Sequence, residues 1–526
     1  MNMRRLFLGG AFFVLVATPT LASDPPEFYP LDLLRDPDGQ GYLGFYVWAG
    51  QDVDNDGLSD FLVQRPPHGA VPETRTFVWA LSGADRSVVT QWVGFSEAWW
   101  FGKPCVFADI DGDGMADTVI GDSENPLAEE GLVWVFSGLS QQVLVGLRGE
   151  QLGDDFAQLF AVLDDLDGDG WREILVGAPA SDAGDFNAGS VYLISPRTRE
   201  VLWQQDGETR AEGMPSSLGN LGDIDGDGAS DFLVSSRDAT VFGKRRVGRV
   251  WVYSGRTREL IYGLAGDEEN VEFGSRVVVL GDTDRDGISD FSVNDNYWVH
   301  VYSGLHGRRR FSLDWGEDIG HGVYAGYDYD GDGVTDFLST SPRWYYVGVY
   351  SGVDGSLLGE VGQDRGPYGE MMSSVPDLTG DGLPDLLVAG TSPDGEGRSS
   401  VFVYGLKSLK RVVPDTTAGA SEKVLLKVRA PALANQSVLL LWSGSVDQGT
   451  MLLGRHVPLD PDQLFHWSLS HPHLITLDSE GRGCFERKAT GPEPLLGLSL
   501  YAAYVAIDPL RPGRLRAVSN AERLAP

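Results

Sequence analysis

Residues 223–231 read DIDGDGASD, with carboxylates at 223, 225, 227 and 231 closing around Gly228. Two unit charges ~4 Å apart repel by about 4 kcal/mol at an effective dielectric near 20, so four in one loop call for a cation. Calcium takes six to eight oxygen ligands, and a looped chain offers them at alternate positions. Positions 1, 3, 5 and 9 here supply carboxylates and position 7 a backbone carbonyl. Glycine at position 6 suits a tight turn of positive φ.

The pattern occurs seven times, with starts 57, 56, 58, 59, 46 and 49 residues apart. The predicted calcium ligands are Asp52, Asp54, Asp56, Leu58 and Asp60; Asp109, Asp111, Asp113, Met115 and Asp117; Asp165, Asp167, Asp169, Trp171 and Glu173; and Asp223, Asp225, Asp227, Ala229 and Asp231. The later copies supply Asp282, Asp284, Asp286, Ile288 and Asp290; Asp328, Asp330, Asp332, Val334 and Asp336; and Asp377, Thr379, Asp381, Leu383 and Asp385. Leu, Met, Trp, Ala, Ile and Val alternate at position 7, as expected if only the carbonyl binds. Asp and Gly also populate plain solvated turns, but 27 motif carboxylates in register exceed what turn chemistry needs. Up to seven structural Ca²⁺ are expected, all on one rim. An EF-hand would need Glu at position 12 and flanking helices; position 12 is Val63, Ile120, Val176, Val234, Val293, Ser339 and Val388, and the flanks read as strands. Thrombospondin-type calcium repeats would need dense cysteines and a shorter period.

The elements that must hold these loops recur with them. An apolar strand enters each motif (VVVLGD, 277–282) and a continuously apolar one leaves it (FLV at 232–234), the mark of a strand buried on both faces. An aromatic-rich strand then closes on a turn (RVWVYSG, 249–255), and a fourth leads onward (LIYGLAG, 260–266). Four short strands in each of seven units predict an all-β, seven-bladed β-propeller rather than a linear solenoid, since radial repetition protects the sheet edges. Residues 28–35 resemble a fourth strand with no third strand ahead of it, so they are expected to complete the last blade and close the ring.

The bulk numbers agree. Gly is plentiful, 68 of 526 residues, roughly double the ~7% of ordinary chains. Against 41 Lys and Arg stand 76 Asp and Glu, a formal charge of −35, which disfavours nucleic acid and anionic lipid. Cys105 and Cys484 form no disulfide framework; buried free thiols are expected more readily than a bridge. Residues 1–22 read as a secretory signal peptide, with Arg4 and Arg5, an apolar Leu6–Ala17 and small residues before a cleavage after Ala22. No later run is long enough to span a membrane as a helix. The expected organisation is a propeller over 23–413, a linker over 414–422 and a small β-sandwich-like domain over 423–526, secreted or held at the cell surface or in the periplasm.

The repeats resemble the FG-GAP/VCBS family, whose best-known members form the seven-bladed head of integrin α subunits. Phe101-Gly102 and Phe273-Gly274 carry the first half of the naming signature, Phe156-Ala157 and Tyr368-Gly369 a weaker form, and Val176-Gly177-Ala178-Pro179 the second half. The resemblance covers residues 28–412 and is to the secreted bacterial type as much as to integrins. It implies calcium in hairpin loops and a role in adhesion or ligand binding. The last three units are compact and leave little room for inserted loops. The ending, from Gly491 on, resembles a domain appended to repeat proteins secreted by some bacteria, with no implied activity.

Some polysaccharide lyases and phospholipases carry seven-bladed propellers, so a glycan-cleaving enzyme is one alternative and a cell-envelope scaffold another. Catalysis would want a poised His, Tyr, Lys or Arg. The eight His (68, 300, 306, 321, 456, 466, 471, 473) form no HExxH, and no GxSxG elbow is present. His471 and His473 alternate in a strand-like stretch and read as surface or core residues. A non-catalytic module with a protein or glycan partner is the preferred reading. Trp99-Trp100, Tyr297-Trp298 and Trp344-Tyr345-Tyr346 are candidate contacts, although packing between blades accounts for them more simply.

Overall fold

The computed structural model describes residues 28–34, 46–54, 56, 58–65, 76–94, 101–123, 130–314, 322–341, 346–362, 368–378, 383–391, 399–406 and 409–412, and short strands between 423 and 523. The signal-peptide reading, the 414–422 linker and Trp99-Trp100 fall outside the described residues. Among the described residues there is no helix, and so none long and apolar enough to cross a membrane.

The ring has seven four-stranded antiparallel blades. Six are built from consecutive strands: 47–93, 105–148, 159–206, 217–265, 276–314 and 323–362. The seventh takes three strands from 368–406, and its outer edge is Phe28–Leu34, paired from Phe28↔Leu406 to Leu34↔Val401. The first segment of the propeller thus fastens the last blade, as its sequence predicts. Each blade's first strand faces inward, and that of blade one, Val47–Ala49, lies against that of blade seven, Tyr368–Val375.

Second strands form the floor of the core. Phe61–Arg65, Asp117–Asp122, Ile174–Ala178, Asp231–Ser236 and Asp290–Asn294 are buried at every residue. Their two faces feed different cores, so each apolar cluster is shared by neighbouring blades. Leu163, Leu175 and Leu193 of blade three pack with Phe232, Val234 and Tyr253 of blade four. Leu34, Val47 and Phe61 meet Val375, Leu387 and Val403 where blades one and seven touch. Apolar burial across these seams, rather than within a blade, ties the ring together.

Beyond the propeller, Leu409–Val412, Lys423–Arg429 and Arg482–Lys488 form one sheet. His473–Thr476, Ser437–Ser443, Tyr501–Ile507 and Leu515–Val518 form another.

Candidate functional site: the acid-rich hairpin loops

Each motif links the first and second strands of its blade, and the loop of blade four shows its construction. Asp223 folds the chain over itself: Oδ1 accepts from the N–H of Gly226 and Asp227 at 2.7 and 3.0 Å, and Oδ2 from Gly228 at 2.8 Å. Gly228 has φ +86°, as predicted for position 6. Position 4 is also left-handed, at Gly112, Gly168, Gly226 and Gly331 and, without a glycine, at Arg285 (φ 65°). That second constraint was visible in the sequence as recurrent Gly but takes the backbone to explain.

Position 9 has a further task. Asp231 is fully buried, its Oδ2 accepting from Ile224 at 2.9 Å and its Oδ1 from the N–H of Gly255, in the turn between strands three and four, at 2.9 Å. Asp60, Asp117, Asp290 and Asp336 make the same pair of bonds, with Gly83, Gly138, Gly304 and Gly352 as the second donor. In blade seven Asp385 holds Leu378 and Leu406. The acid therefore clips two turns together, whatever else it binds.

Blade three breaks the pattern informatively. The turn residue there is Pro196, which has no N–H to give. Glu173 takes the N–H of Leu166 with one oxygen, while its other oxygen, Oε1, is buried and without a partner. An orphaned buried carboxylate oxygen is costly. Its neighbours are Asp165, Asp167 and Asp169, and one ligand atom from each of the four lies within 4.8 Å of the others. This is the arrangement a hard cation with oxygen ligands fits.

Equivalent clusters join Asp52, Asp54 and Asp56; Asp109, Asp111 and Asp117; Asp223, Asp225 and Asp231; and Asp282, Asp284 and Asp290. In these four blades one predicted carboxylate is outside the set: Asp60 in blade one, and Asp113, Asp227 and Asp286 in blades two, four and five. Asp227 instead lies 3.4 Å from Ser254 Oγ and 3.5 Å from Arg256 Nε. At position 7 Leu58, Ala229, Val334 and Leu383 are buried, so side-chain packing acts there, while Met115, Trp171 and Ile288 are only half-buried. Thr379 and Asp381 fall outside the described residues. Neighbouring loops touch, Arg172 N–H donating to Ile110 O at 2.8 Å and Arg285 Nη2 to Asp332 O at 2.7 Å, which places them on one rim.

Burial drives the acids toward protonation. Desolvation first, then repulsion from the loop aspartates, pushes Asp60 up to about 6 and Glu173 and Asp336 up to about 7, against the pull of their backbone N–H donors. Ordinary unfolded values are near 4. Without metal, the folded state then holds extra protons between pH ~4 and ~7, so the stability these groups contribute is complete below ~4 and lost as pH rises through 6 to 7. A bound cation displaces those protons and inverts the sign. Melting between pH 7.5 and 5 is expected to show these groups raising Tm on acidification in chelator and lowering it with calcium; the same sign in both would contradict cation binding.

The other sequence candidates lie elsewhere. Cys105 is buried with a free thiol, and burial pushes its pKa far up. Tyr297 and Trp298 do not pack between blades; they are 59% and 40% exposed, on a turn where Asp295 Oδ1 accepts both their N–H groups at 2.7 Å. The side chains of Trp344, Tyr345 and Tyr346 fall outside what is described. His300 is buried, with Nδ1 2.7 Å from Ser312 Oγ and Nε2 3.1 Å from Asp295 Oδ2. It occupies the register held by Trp79, Trp134, Tyr192 and Trp251 in earlier blades, and its partners satisfy a polar ring in an aromatic slot.

The fold and its loops define a class: an all-β, seven-bladed propeller whose third blade carries an FG-GAP repeat. Residues 156–194, the first three strands of blade three and their entry, match the FG-GAP repeat model. The chain is similar to integrin alpha-V of Gallus gallus, 31% identical over 217 residues, and to integrin alpha-8 of Mus musculus, 29% over 235. Those alignments take in 37% and 41% of this chain and 20% and 21% of the relatives, so it spans about a fifth of their length. Among solved structures, one described as BBS1N in complex with ARL6DN, soaked with mercury, superposes with a TM-score of 0.44 at 11% identity, over 75% of this chain and 98% of that one.

Proposed function

We propose that the chain is a secreted, calcium-stabilised FG-GAP propeller that binds a protein or glycan ligand and does no chemistry itself. The observation that carries the calcium half is the partnerless Glu173 Oε1 within a four-carboxylate cluster. Residues at positions 1, 3, 5 and 9, with the position 7 carbonyl, would hold each ion, whose contribution is charge neutralisation. Ligand binding draws support from the opposite rim, where the turns between second and third strands of three successive blades expose aromatic groups: Phe186 (50%), Phe242 (100%) and the Tyr297-Trp298 pair. Exposed aromatics on turns of one rim suit stacking on sugar rings or anchoring a protein surface. The likeness to integrin α chains supports the same reading.

The test is retention. Purified protein is passed over immobilised polysaccharides and matrix proteins in millimolar calcium, beside a Phe242→Ala/Trp298→Ala variant. Calcium-dependent retention without product, weakened about 10-fold or more in the variant (on the order of 1.4 kcal/mol), is the expected result. Shortened or unsaturated sugars would mean an enzyme, and no retention a scaffold.

A further inference from the structure

Blade five opens its outer strand with Arg309 and Arg310 where its neighbours have aliphatic residues, and the second of these stands at a special place in the register. In blades one to six the third and fourth strands pair with the same irregularity, leaving the second residue of the fourth strand unpaired. Such a bulge re-aims its side chain. In five blades that residue is aliphatic, Val89, Leu144, Leu202, Ile261 or Leu358, and packs against an inter-blade core. In blade five it is Arg310.

Arg310 turns into the acid-rich loop. Its Nη1 donates to Thr283 Oγ1 and lies 3.4 Å from Asp290 Oδ2, and its Nε is 3.7 Å from Asp284 Oδ2. The same guanidinium reaches blade six, donating to Gly352 O at 3.2 Å and Val353 O at 3.3 Å. Position 2 of the loop, aliphatic in five other copies and Tyr329 in blade six, is here Thr283, whose hydroxyl joins Asp290 to Arg310. The loop's other cation, Arg285, points away to the neighbouring loop, 3.7 Å from Asp332 Oδ2. A permanently charged guanidinium with several donors can satisfy a carboxylate cluster directly, and a second cation placed there would be repelled by it.

We infer that Arg310 serves blade five as a built-in cation in place of calcium, so this loop closes without metal while the other loops need it. The inference rests on the calcium reading of those other loops. The test is an ion count by native mass spectrometry and elemental analysis on the full chain in calcium. Asp284→Asn/Asp286→Asn in blade five should leave the count unchanged, while Asp225→Asn/Asp227→Asn in blade four should lower it by one. Arg310→Leu, which installs the residue type of the other blades, should raise it by one. Loss of an ion from the blade-five variant would overturn the inference even if Arg310→Leu fails to fold. Calcium absent from every form would overturn the calcium reading itself, and this inference with it.

Discussion

A chain that begins at residue 35 is expected to melt roughly 10 °C below one that begins at Phe28, taking roughly 1 °C per kcal/mol, the scale that ~2.1 cal/mol/K of unfolding entropy per residue gives for a propeller this long. The reason is topological. Phe28–Leu34 is the outer strand of blade seven, and its ladder runs from Leu406 to Val401. Its removal leaves that edge unpaired, at about 1 kcal/mol net for each lost hydrogen bond. Leu34 also leaves the core shared by blades one and seven, for about 2 kcal/mol more. Beyond the sum, the strand that fastens the propeller's first segment to its last blade is gone, so the seam between blades one and seven opens. Equal melting curves for the two chains would refute this fastening role.

Much of this was legible before any coordinates. Six copies of DxDxDG and a seventh with Thr379 at its third position set the blade count, and the orphan strand at 28 told how the ring would close, because a fourth strand without a third needs a partner elsewhere. The unbroken apolar runs after each motif became second strands buried on both faces. Less legible was anything that depends on groups distant in sequence. Asp231 reads as one more ligand until Gly255 is seen to donate to it from 24 residues away. Glu173 looks like a conservative replacement, yet Pro196 across the turn is what leaves its oxygen unpaired. Arg310 sits in an unremarkable RRR run, and only the bulge register sends it into a loop instead of a core. Tyr297 and Trp298 resembled the packed aromatics of third strands, but they stand at the turn where blade five's third strand begins, in solvent.

The second large effect is expected from metal removal. Each ion at about 100 times its Kd contributes near 2.7 kcal/mol by mass action, so several sites amount to about 10 kcal/mol or more. The loss falls where the loops abut, since Arg172 of blade three bonds to Ile110 of blade two and Arg285 to the loop of blade six. Loops that lose their cation regain repulsion along the whole rim, and unfolding should become less cooperative as seams separate one by one. Blade five, neutralised by Arg310, is the part expected to persist longest.

The most direct measurement pairs an ion count with thermal melting of the same sample, before and after exhaustive chelation. Several bound calcium ions per chain, a melting temperature that drops by roughly 10 °C or more when they are removed, and full recovery on adding calcium alone are the predicted outcome. Protein that carries no divalent ion as purified and melts unchanged in chelator would contradict the account at its root.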